Sequence, residues 1–148
     1  MRDGKIEKLI ATAKSLAGRP YKYGAGLKEA PRCFDCSGFI QYVYKKIGVK
    51  LPRCTIEQAE YGRLVKNKKS LRLGDLIFLH GQNGHYNKKF PAGIGHVVMY
   101  LGNDRIIHAS SKRIRTHPKI VEIGGVKIEP LAKILKRKDI IAIKRILR

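Results

Sequence analysis

The chain has 148 residues, 43% of them hydrophobic, which is enough for one buried core and short for two. Thirty-two Lys and Arg against eleven Asp and Glu give a formal charge of +21, a strong positive potential that draws polyanions: nucleic acid, an anionic membrane surface or an anionic cell-wall polymer. Apolar runs of only a few residues exclude a transmembrane helix, and three cysteines, an odd number, exclude a disulfide framework.

In chain order, "MRDGKIEKLIATAKSLAG" comes first. Ile6, Leu9, Ile10, Ala13, Leu16 and Ala17 recur at helical spacing, and Gly18 with Pro20 ends the pattern, so a helix is predicted over residues 4–17. Its charges leave no apolar core of a secretory signal, and none is expected. "RPYKYGAGLKEAPR" reads as a loop. From Cys36 the apolar positions Phe39, Ile40, Val43, Tyr44 and Ile47 again follow the helical period, with Asp35 at the N-cap and Gly48 closing the helix. Thr55 with Gln58 has capping-box form and predicts a short helix over "TIEQAEYGRL".

The texture then turns to β. "GDLIFLH", "HVVMYLG", "RIIHAS", "KIVEI" and "DIIAIKRIL" are short, rich in Val and Ile, and bounded by turn residues. Helices followed by strands predict an α+β domain, N-terminal helices packed on an antiparallel β-sheet, occupying residues 1–148 as one unit. The irregular segment 81–95, "GQNGHYNKKFPAGIG", is long for a connection and is expected to border a site.

"CFDCSGF", residues 33–39, carries two cysteines that can be read as a C-x-x-C pair or as a single nucleophile, Cys36, at a helix start. There the helix dipole and free backbone N–H groups favour thiolate, although a cysteine is also an ordinary small core residue. Attack on a carbonyl needs a proton-handling His, itself oriented by a third group. His96 opens "HVVMYLG" and His108 lies in "RIIHAS", joined by "GND". With a three-residue loop, Leu101 pairs with Arg105, His108 faces Val98, and the two histidines share a face roughly 7–8 Å apart along the diagonal. A two-residue loop would send one of them to the opposite face.

In order and spacing, "DCSGFIQYVYKKIGVKLPR", "LRLGDLIFL" and "HVVMYLGNDRIIHAS" resemble the NlpC family of cell-wall cysteine peptidases. The resemblance implies a papain-like fold, with Cys36 as nucleophile, His96 as general base, His108 as the orienting residue, and Tyr21, Asp35 and Ser37 as substrate-binding positions. It implies hydrolysis of peptidoglycan stem peptides, often between D-γ-glutamyl and diaminopimelate or lysine, with no metal or cofactor. It also implies a muropeptide or peptidoglycan substrate, anionic wall polymers as partners of the basic surface, and an extracellular or cell-wall location; without a visible signal, cytoplasmic action or release by lysis fits the chain as well. The chain departs from the family pattern in "YKYGAG", in the long 81–95 segment, in Cys54 where a small hydroxyl residue is usual, and in the extra thiol of Cys33.

Parts of the chain fit other readings. Cys33, Cys36, Cys54 and one His could ligate zinc on paper, but the usual second paired half is missing. A thioredoxin-type dithiol expects a preceding strand. The charge alone gives salt-dependent affinity for polyphosphates, yet no specific nucleic-acid motif is visible. A Cys/His amidase or acyltransferase on the same fold, and a basic polyanion-binding module, remain the alternatives.

Overall fold

Helix α2 (Cys36–Lys45) is buried along Phe39, Ile40, Val43 and Tyr44, the stripe that its apolar periodicity marks. Around it the computed structural model describes residues 2–81, 84–119 and 121–147, apart from the side chains of Arg2, Asp3, Arg113 and Glu122. Helix α1 spans Arg2–Ser15 and α3 only Thr55–Gln58; a two-residue strand, β1 (Arg63–Leu64), and a 3₁₀ turn, Lys68–Ser70, follow. Strands β2 (Leu76–Leu79), β3 (His96–Gly102), β4 (Arg105–Arg115) and β5 (Val121–Pro130) precede α4 (Leu131–Leu135) and β6 (Ile140–Arg145). They form a six-stranded antiparallel sheet in the order β1-β6-β2-β3-β4-β5.

Alternate residues of the central strands serve two cores. Leu76, Phe78, Val97, Met99, Ile107 and Ala109 pack with α1 and α2, whereas Ile77, Leu79, Val98, Ile106 and Ile143 pack with Leu131 and Ile134 of α4. Burial on both faces is why "LIFL" is an unbroken apolar run rather than an alternating one.

Several expectations are corrected. The third helix stops after four residues, and its N-cap is Cys54, which makes no side-chain cap bond. Gln58 does not close a capping box; its Nε2 donates to the carbonyls of Ser37 (3.0 Å) and Pro52 (2.8 Å), which ties α3 to the start of α2. Strands β4 and β5 run on into an 11- and 10-residue hairpin, longer than "RIIHAS" and "KIVEI" suggested; Ile120 lies outside the described residues. Strand β1 and helix α4 have no counterpart in the sequence reading.

The β3–β4 turn is the two-residue kind, with Gly102 paired to Arg105 and positive φ at Asn103 (51°) and Asp104 (58°). The parity nevertheless survives, because a bulge between Tyr100 and Gly102 adds the missing step. Beyond it Tyr100 pairs with Ile106 and Met99 with Ile107, the register that the longer loop would have set, and continuing it places His108 across from Val98.

Away from this hairpin, Asp75 is almost wholly buried (1% exposed side chain) and is gripped by Arg145, with Nε to Oδ1 at 2.9 Å and Nη2 to Oδ2 at 2.8 Å. The pair fastens β6 to the entry of β2. Arg145→Met should strand this carboxylate and cost about 3–5 kcal/mol, read as a lower denaturant midpoint at unchanged m-value.

Candidate active site

Asp35 does cap α2, its Oδ1 accepting from the Gly38 N–H at 2.8 Å. The same carboxylate accepts from the Gly24 N–H (3.1 Å) and from Arg53 Nη2 (2.7 Å) through Oδ2, and from the Ser37 hydroxyl at 3.5 Å. Arg53 also donates to Ser37 Oγ (2.8 Å) and the Ala25 carbonyl (3.0 Å). Three segments are thereby locked around the first turn of α2. Gly38 is required there, since a Cβ would lie 2.7 Å from the Ala25 oxygen and 2.8 Å from Asp35 Oδ1.

Cys36 is the first residue of α2, with its Sγ 4.0 Å from the Gly95 carbonyl. The dipole argument predicts a lowered thiol pKa, and the structure corrects it: burial, reinforced by the neighbouring Asp35 carboxylate, pushes the thiol up to about 11. The backbone N–H groups of Val97 and Ser37 and the Arg53 guanidinium pull the other way without prevailing. Desolvation outweighs the helix start, and the resting group is a thiol.

The loop before His96 is drawn shut at its base. Gly81 and Gly95 are in backbone contact, so that a Cβ on Gly81 would come within 2.7 Å of the Gly95 Cα, and His85 bridges Ile94. His96 follows at once as the first residue of β3. Its Nε2 lies 2.7 Å from His108 Nδ1, and the rings meet edge-on with centroids 5.0 Å apart. His108 Nε2 in turn lies 3.1 Å from Glu129 Oε2, and Glu129 Oε1 accepts from Lys133 Nζ at 3.1 Å.

Burial lowers the His96 pKa to about 3, helped by His108 and Arg137 and opposed by Glu129 and Asp139. His108 is lowered chiefly by burial as well, with Glu129 opposing and Lys127 and Lys133 assisting. For Glu129 burial acts upward, but Lys133 and His108 outweigh it and leave the carboxyl below its ordinary range.

Two clefts meet at this point. One, of about 330 Å³, is lined by Tyr21, Asp35, Cys36, Ser37, Arg53 and His85 among others; the second, of about 380 Å³, by Tyr21, Cys36, His80, His96, His108 and Arg137. Cys36, Tyr21 and Gly95 border both. All six residues singled out in the sequence, Cys36, His96, His108, Tyr21, Asp35 and Ser37, therefore surround one continuous groove, and residues of the 81–95 segment form part of its wall. Arg53 and Glu129 were not anticipated. Arg53 stood inside the quoted "LPR" without a role, and Glu129 becomes visible only once β5 is paired with β4, placing it opposite Ile106, two residues from His108 along the same face.

Such a site offers a thiol beside a chain of two imidazoles and a carboxylate, a set suited to nucleophilic acyl transfer with proton transfer through His96. A model of the NlpC/P60 family matches residues 18–128. The chain belongs to the NlpC/P60 family. It is 36% identical over 138 residues to peptidoglycan endopeptidase RipB of Mycobacterium tuberculosis, covering 86% of this chain and 48% of the relative. It is 33% identical over 114 residues to gamma-DL-glutamyl hydrolase of Bacillus subtilis, covering 75% and 25% respectively. The chain thus spans about half or less of the length of these relatives. The solved P60 domain of a Mycobacterium avium subspecies paratuberculosis antigen superposes with a TM-score of 0.74 at 28% identity, over 99% of this chain and 98% of that one. The papain-like α+β fold expected of the NlpC family is the fold observed.

The three cysteines are free thiols, and Cys33 turns to Glu29, its Sγ 3.4 Å from Oε2. Cys33→Ser should leave the rate of Cys36 alkylation by iodoacetamide under reducing conditions within about twofold of the parent, measured by mass spectrometry of the Cys36 peptide. A second expectation concerns pH. Both histidines bind protons less readily folded than unfolded, so below the ordinary imidazole value of 6.5 the unfolded chain takes up more protons and stability falls as pH drops toward 3. Urea midpoints measured from pH 7 to pH 4 should decline, and His96→Gln should flatten that slope.

Proposed function

We propose that residues 1–148 form one cysteine endopeptidase domain that hydrolyses peptidoglycan stem peptides, with Cys36 as nucleophile, His96 as general base and His108 as its orienting partner. The observation that carries this reading is the 2.7 Å bond between His96 Nε2 and His108 Nδ1 in a cleft that Cys36 also lines. With Nε2 engaged, Nδ1 is the His96 nitrogen left for the thiol proton.

Thiol and imidazole rest uncharged, so the proton leaves Sγ for His96 as the Sγ–C bond forms. The carbonyl oxygen takes the charge and faces backbone N–H groups at the start of α2, that of Cys36 included. His96 then protonates the departing amine, leaving a thioester. In the second half His96 removes a proton from water, the hydroxide displaces Sγ, and the thiol is restored.

Arg53 supports a γ-glutamyl substrate. A D-γ-glutamyl residue keeps its α-carboxylate free, three carbons from the scissile carbonyl, and Arg53 lines the first cleft with 34% of its side chain exposed although Asp35 occupies part of its fork. We assign that cleft to the acyl half of the substrate and the second to the leaving diamino acid. Tyr21, Asp35 and Ser37 belong to the substrate-binding wall in this reading. The formal charge of +21 supports retention on anionic wall polymers at the cell wall, outside the cytoplasm. Among the described residues no helix is long and apolar enough to cross a membrane.

Peptidoglycan fragments incubated with the protein and with Cys36→Ala should show new stem-peptide ends by mass spectrometry only where the thiol is intact. If neither sample cleaves under reducing conditions while both retain a polyanion at low salt, the binding-module reading replaces the peptidase. A new acyl adduct of an added amine, without hydrolysis, would point instead to the acyltransferase alternative, and release of an amine from a non-peptide amide alone to the amidase.

A further inference from the structure

A hydrogen bond between two neutral imidazoles can run in either sense. In one, His96 Nε2–H donates to a bare His108 Nδ1, and His96 Nδ1 is left free to accept a proton. In the other, His108 Nδ1–H donates to a bare His96 Nε2; the His96 proton then sits on Nδ1, and the ring offers the Cys36 thiol a donor where it needs an acceptor. The 2.7 Å separation is compatible with both senses.

Glu129 breaks the symmetry. Its carboxylate is acceptor-only when ionised, and it lies 3.1 Å from His108 Nε2, so that nitrogen must carry the proton. A neutral His108 protonated on Nε2 has a bare Nδ1 and can only accept from His96. We propose that Glu129 is a positioning residue that sets the sense of the His96–His108 hydrogen bond and so keeps His96 Nδ1 free to take the Cys36 proton. Lys133, four residues on in α4, holds the other carboxylate oxygen at 3.1 Å and completes the orientation.

The carboxylate is placed by the fold rather than by local sequence. Glu129 pairs across the sheet with Ile106, and His108 with Lys127, so its side chain reaches diagonally over one pleat to the imidazole. The charged groups around the pair are Lys127 on β5, Lys133 on α4, and Arg137 beyond α4, which is joined to Asp139 through Nε and Oδ1 at 2.9 Å. Beside these, Glu129 is the carboxylate bonded to an imidazole of the pair.

The turnover arm of the test rests on the proposed peptidase, but two further arms need no substrate. Long-range ¹H–¹⁵N spectra of histidine-labelled protein report which ring nitrogens carry protons, with His108→Gln supplying the assignment. Iodoacetamide labelling of the Cys36 peptide, followed by mass spectrometry, reports how readily the thiol is deprotonated. At neutral pH both rings of the parent should be bare at Nδ1 and protonated at Nε2. Glu129→Ala should populate the Nδ1–H form of His108 and slow Cys36 alkylation. It should also lower kcat about 10–100-fold, by analogy with the loss seen when the outer hydrogen-bond partner of a metal-ligating histidine is removed, with KM within about twofold. Glu129→Gln keeps the shape, but its amide can donate as well as accept; it should give a tautomer mixture and an intermediate kcat, and guards against a fold defect in the Ala variant.

The proposal is overturned if the parent carries its His108 proton on Nδ1. It is overturned equally if Glu129→Gln lowers kcat while the tautomers and alkylation stay unchanged, or if it changes none of the three. Should the parent cleave no muropeptide while tautomers and alkylation respond as described, the peptidase reading fails and the role of Glu129 stands.

Discussion

The Asp35 carboxylate is the interaction on which the site depends. Two backbone N–H groups, a hydroxyl and a guanidinium converge on its two oxygens, drawn from the 24–25 loop, the first turn of α2 and the segment after Pro52. Removing it would free a helix terminus and leave Arg53 without its anionic partner. Burial raises the Cys36 thiol, and the same carboxylate that fixes the helix start adds to that rise.

In the proposed reaction the base belongs to a chain of two imidazoles and a carboxylate rather than standing alone. Burial holds the thiol up and the imidazole down, so both favour their uncharged forms and the proton would move as attack proceeds. Polar groups arranged in advance, including the oriented imidazole and the N–H groups of α2, would then carry the developing charge without reorganising. Stability and chemistry share the same buried groups, and acid that protonates the imidazoles weakens both.

Much of this was legible in the chain. The α2 stripe, the Asp35 cap and the shared face of His96 and His108 could be read because each depends on local spacing, whereas the join to Cys36 came from the family resemblance. The capping box at Thr55 misled because Gln58 had a stronger tertiary use, bridging Ser37 and Pro52, which no local pattern reveals. Loop length at "GND" was open in the sequence, and the two-residue turn keeps the histidines on one face because a bulge restores the parity that the shorter turn removes. Glu129 was invisible for a different reason: it meets His108 only through the pairing of two strands, and strand pairing is long-range information. Arg53 lay in plain sight without a role, because its importance comes from the acid that it binds.

The glycine contact at the foot of the 81–95 segment has a consequence for how this scaffold can change. Gly81 and Gly95 pinch the backbone together immediately before His96, and Gly84 and His85 meet Ile94 beside them. The described ends of the segment thus leave and rejoin the sheet through one closed neck. A side chain at either Gly81 or Gly95 would force that neck apart and shift the start of β3, and His96 with it.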